Sequence, residues 1–138
     1  MAGKRAVKKR TVKRPNYKEV FSKHDRADER AEYAAIIWET GFTELDSRGL
    51  VTGPRLLTLD RYVRAQTEYK FLYSEAMAEG PTCKSDGGND YANMKWSAVG
   101  KLNEQIMKFE DALRFRIDEA APPPPKDAPK TPADEFLD

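Results

Sequence analysis

Apolar and small residues recur with helical spacing three separate times along this chain. Ala27, Ala31, Ala34, Trp38, Gly41 and Leu45 step by 4, 3, 4, 3 and 4, which puts them on one side of an α-helix. That helix is expected to begin near Asp25, with Asp25 or Asp28 as its cap and Glu29 in the first turn, where a carboxylate suits the helix dipole. Gly41 lies on the stripe and points to close approach of another backbone, whereas Gly49 is the better stop.

A second helix opens at Thr52-Gly53-Pro54, where a capping hydroxyl precedes a proline whose missing N–H costs nothing in a first turn. It stops at Gly80-Pro81. Its apolar residues cover more than one face: Leu56, Leu59 and Val63 on one line, Tyr62, Ala65, Tyr69, Leu72 and Ala76 on another, and Leu57, Phe71 and Tyr73 off both. Packing within a subunit plus contact between subunits accounts for that excess. Tyr62, Tyr69, Phe71 and Tyr73, together with Trp38 of the first helix, are the candidate oligomer-interface residues, and stacking of the four second-helix aromatics on bases is the lesser reading. Residues 82–91, with Gly87-Gly88 between polar runs, read as a loop or small β-hairpin. The last helix opens near residues 91–93 and carries the longest stripe, Trp96, Val99, Leu102, Ile106, Phe109, Leu113 and Ile117. The expected fold is all-α: an N-terminal helix plus an antiparallel helical hairpin, within residues 25–118.

Charge divides the 138-residue chain further. The formal net charge is +1, but residues 1–24 carry +8, residues 25–116 carry −3 and residues 117–138 carry −4. Lys4, Arg5, Lys8, Lys9, Arg10, Lys13 and Arg14 crowd seven like charges into fourteen residues. Such a run is expected to lack stable structure without an anionic partner, making residues 1–24 a disordered basic head. Contact of all seven with phosphates would give a log–log salt slope of about −6, at about −0.9 per contact. The tail, residues 119–138, opens on the four prolines at 122–125 and excludes helix. Its Phe136 and Leu137, set among acids, form a candidate docking motif for a partner protein.

Catalytic readings find little to stand on. The glycines match neither a phosphate loop nor a dinucleotide fold, and the serines sit in no nucleophile elbow. His24 reads as a solvated surface histidine. Asp86, Asn89 and Asp90 do not have EF-hand spacing and read as a solvated turn. Cys83, the one cysteine, reads as an ordinary thiol in a reducing compartment. With one histidine and one cysteine there is no Cys/His zinc site. No cofactor, metal or small-molecule substrate is expected. No apolar run spans a bilayer, and no secretory signal follows the basic start.

The order of features over residues 34–115 resembles the small subunit of tailed-phage terminase, in the short helical family of head-to-tail packaging motors. Trp38, Leu45, Gly49-Leu50-Val51-Thr52, Asp60-Arg61-Tyr62, Tyr69, Glu79-Gly80-Pro81-Thr82 and Asn93 carry the resemblance. It implies a non-enzymatic subunit in the host cytoplasm that forms a ring and binds viral double-stranded DNA. It also implies recruitment and regulation of the large terminase subunit, which holds the ATPase and nuclease. The alternative is a small helical DNA-binding regulator, whose recognition residues would be Arg61, Arg64 and Gln66.

Overall fold

The computed structural model describes residues 12–115, and it is mostly helical. The first element, α1 (Tyr17–Val20), is a single turn whose Asn16 side chain accepts from the Glu19 N–H. Tyr17 and Phe21 stand four residues apart and both are buried, at 3% and 2% exposure. Their rings pack on each other, and Tyr17 meets the edge of Trp38. The expectation of an unstructured head reaching residue 24 therefore fails for residues 12–24. Repulsion is concentrated before Pro15, while two buried aromatics favour folding after it. Residues 1–11 lie outside the described residues.

The second element, α2 (Ala27–Ser47), begins without a side-chain cap, because Arg26 takes the left-handed conformation at φ 53°. Asp25 is not a cap; its carbonyl and carboxylate accept from Arg30. The predicted stripe is the buried face, with Ala31, Ala34, Trp38, Gly41 and Leu45 all inside. Gly41 makes room for side chains rather than backbone: a Cβ there would stand 2.5 Å from Leu59 Cδ1 and 3.5 Å from the Phe115 ring. The helix closes at Gly49, φ 66°, where the Gly49 N–H donates to Asp46 O and the Leu50 N–H donates to Leu45 O. That pair of bonds satisfies two of the orphan carbonyls at a helix end.

The central element is α3 (Gly53–Glu79), which packs against both α2 and the last helix. The Thr52 hydroxyl accepts from the Arg55 N–H and Pro54 sits in the first turn. Leu59 and Val63 join Tyr17, Ala34 and Trp38 in one core cluster. Ala65 and Ala76, at other positions around the helix, are buried as well. After Gly80, β1 (Thr82–Lys84) and β2 (Asp90–Ala92) pair antiparallel, with Cys83 opposite Tyr91. The last helix, α4 (Met94–Leu113), starts at Asn93, whose side chain accepts from the Lys95 N–H and donates to the Gly80 carbonyl. The Trp96 indole N–H donates to the same carbonyl, which ties the two ends of the helical hairpin together. Val99, Ile106 and Leu113 are the buried positions of the α4 stripe. The helix closes around Arg114 in the left-handed conformation, which turns Phe115 onto Tyr62. Ile117 and the tail with Phe136 and Leu137 lie outside the described residues.

Candidate nucleic-acid interface

The basic head joins the fold at Val12, which packs against the core cluster. Of the seven head cations, Lys13 and Arg14 are described and exposed; Lys4, Arg5, Lys8, Lys9 and Arg10 lie outside the described residues. Arg14 donates to Glu39 on α2 at 3.3 Å. Three residues on, the Tyr17 hydroxyl donates to Asp60 Oδ1 on α3 at 3.0 Å. Burial first, and then the charge of Asp60 and the bond to it, push the Tyr17 phenol far above its ordinary value. It is therefore a permanent donor at neutral pH. Asp60 also takes two bonds from Arg64, Nε at 3.2 Å and Nη2 at 3.1 Å.

A second clamp holds residues 21–26, and no sequence pattern announces it. Arg30 is 5% exposed. It donates from Nε to the Asp25 carbonyl at 2.9 Å and from Nη1 to Glu68 at 3.3 Å. Its guanidinium lies 4.6 Å from the centre of the Phe71 ring. Arg26 stacks over that ring as well, and His24 stands 3.6 Å from Glu68. Three elements are thus joined through one buried cation whose donors are matched by acceptors, as burial of a charge requires.

The five aromatics expected at a subunit interface separate into two groups. Trp38 and Phe71, each 4% exposed, are consumed inside the chain and offer no surface to another copy. Tyr62 and Tyr69 are half-buried and Tyr73 is 39% exposed. Tyr69 stacks on Tyr73, whose ring meets the edge of Trp96, and Tyr62 meets Phe115. Exposed Met77 continues this strip beyond Tyr73. A shallow cleft of about 180 Å³ beside Tyr62 is lined by Ile37, Thr40, Gly41, Glu44 and Phe115.

The trio expected of a recognition helix does not share a face. Nine residues are two and a half turns of helix, so Gln66 sits opposite Leu57 on α3, and it donates to the Tyr62 hydroxyl. Arg61 and Arg64 lie on the Leu57 side. Among the described residues no group of three or more His, Cys, Asp or Glu could hold a metal ion, and no helix is long and apolar enough to cross a membrane. Comparison of the chain with protein-family models, with curated proteins and with solved structures found no match.

Proposed function

We propose that this protein is a non-catalytic DNA-recognition subunit of a viral genome-packaging motor, acting as the small subunit of tailed-phage terminase does. On this reading it binds viral double-stranded DNA in the host cytoplasm. It assembles as a homo-oligomer, with a ring as the expected form. Through Phe136 and Leu137 it recruits and regulates the large subunit that supplies the ATPase and nuclease.

The observation that carries the reading is the concentration of seven Lys/Arg in fourteen residues, joined without a linker to a root that α1 clamps to the body. Such a run neutralises phosphates with little demand on sequence, and several copies presented together raise weak contacts to useful avidity. The Tyr69–Tyr73 strip with Met77 supports self-association, being apolar surface that the chain itself leaves half-covered. The regulator reading loses support, because Gln66 faces away from Arg61 and Arg64.

The test is deletion of residues 2–11, which leaves the folded root intact. Duplex binding is then measured by mobility shift at several salt concentrations, with native mass spectrometry of the same samples. A weaker complex with a shallower salt slope, formed by a multimer, is expected. A monomer that binds DNA no differently without its head overturns the reading.

A further inference from the structure

The cationic head is not the only basic surface at the place where it enters the fold. Tyr17 fixes the head's root to Asp60 at 3.0 Å. Three residues of chain separate Arg14 from Tyr17, a reach of about 10 Å at most. The Tyr17 hydroxyl and Arg64 Nε both donate to Asp60 Oδ1, at 3.0 and 3.2 Å, which places Arg64 beside the root. Arg61 stands three residues from Arg64 and so neighbours it on the surface of α3.

The charges on either side of this root are opposite. Toward α2, Glu29 is held by Arg26 and Glu39 by Arg14, while exposed Asp28 and Glu32 have no ion-pair partner among the described residues and repel a phosphate backbone. Toward α3 the acids are already engaged: Asp60 by Arg64 and Tyr17, and Glu68 by Arg30. Arg61 is exposed and has no ion-pair partner among the described residues. Arg64 is 48% exposed in its side chain. It holds Asp60 through Nε and Nη2 only, and Nη1 carries no bond to a described residue. A guanidinium has five N–H donors in a fixed fork, so one edge can stay on a carboxylate while the other meets an anion.

We infer that Arg61 and Arg64 form a fixed phosphate-binding edge on α3, beside the point where the head enters the fold, which seats a DNA duplex on the α3 side of the root. The inference rests on the DNA-recognition reading above and goes beyond it by assigning two rigid contacts outside the head. The head supplies loose attraction, and the α3 edge supplies orientation, because a helix holds its side chains in a constant register relative to the body.

The experiment uses the full chain and a fluorescent random-sequence duplex, with binding anisotropy read across a salt series. The variants are R61A/R64A, the charge-preserving R61K/R64K, and K101A/K108A, which removes the same charge from exposed positions on α4. Circular dichroism checks helicity in each. R61A/R64A is expected to flatten the log–log salt slope by about 1.8, at about 0.9 per lost contact. R61K/R64K should retain the slope and K101A/K108A should leave it unchanged. Equal slopes for R61A/R64A and K101A/K108A overturn the inference while leaving the head's role intact. A wild-type chain with no affinity for the duplex removes both.

Discussion

Replacing Tyr17 with Phe removes one oxygen from the joint between α1 and α3, and its effect should depend on pH in a specific way. The side chain is 3% exposed and its hydroxyl donates to the Asp60 carboxylate at 3.0 Å. Asp60 keeps Arg64 as a partner in the variant, so the expected loss near neutral pH is about 1.5 kcal/mol, the low end for a hydrogen bond to a charged group. The alkaline limb follows from linkage. The folded phenol is held far above its ordinary value by burial and by Asp60, while in the unfolded chain it ionises near pH 10. Below about pH 10 both states are protonated and the contribution is fully present. Above it the unfolded state gives up its proton and is stabilised, so wild-type stability falls at a rate approaching 1.4 kcal/mol per pH unit from this one group. Phe has nothing to ionise. Tyr33 and Tyr62, whose phenols burial also raises, are common to both proteins and cancel. The deficit of Tyr17→Phe should therefore narrow by about 1 kcal/mol between about pH 10 and about pH 11. Urea unfolding followed by circular dichroism at a series of pH values measures it. A deficit that stays constant across that range refutes the burial of a protonated Tyr17 against Asp60.

Other contacts give sharper yes-or-no outcomes. Gly41→Val puts a Cβ 2.5 Å from Leu59 Cδ1, in a side chain that is 0% exposed, and should cost about 1–3 kcal/mol by overpacking; a variant as stable as wild type in urea would mean that Leu59 moves aside freely. Arg30→Ala removes the bonds to Asp25 and Glu68 and the stack on Phe71, for an expected loss of about 2 kcal/mol. Arg30→Met, which keeps the aliphatic stem on the ring, should lose less in the same assay. Bonds from Lys95 and Asn93 hold the Glu79 carboxyl below its ordinary range, so this interaction stabilises the fold above the ordinary carboxylate pKa and is lost as pH falls through the lowered value. In Lys95→Ala the NMR titration midpoint of Glu79 should move upward, and an unmoved midpoint would show that Lys95 does not set it.

The legible parts of the fold were those decided by neighbours in the chain. Thr52 with Pro54, Gly49, Gly80-Pro81 and Asn93 all punctuate helices through local hydrogen bonds or backbone conformation, and short-range chemistry of that kind is present in the sequence itself. The α2 and α4 stripes were legible for the same reason. Residues 12–24 were not, because the reward for ordering Tyr17 and Phe21 comes from Trp38 and Asp60, which local composition does not show. Arg30 was hidden too: a cation between acids on a helix reads as solvated unless Glu68 and Phe71 are known to stand over it. Of the candidate site, the density of head charges was legible. The nearness of Arg64 to the root was not, since it depends on how α1, packed on α2, brings Tyr17 to Asp60.

Periodicity says that a face is apolar without saying what covers it, and α3 shows the consequence. Its excess of apolar positions suggested a need for other subunits at Phe71, but Arg26 and Arg30 already lie over that ring and it is buried. Flanked by α2 and α4, the helix has two strips left over. One carries Leu57, Arg61 and Arg64, and the other carries Tyr73 and Met77. Arg64 and Tyr73 are nine residues apart, two and a half turns, and therefore on opposite sides. On the proposed reading this separation matters. Self-association through the aromatic strip would leave the arginine edge and the head's root uncovered in every copy, so assembly and DNA contact would not compete for the same surface of α3.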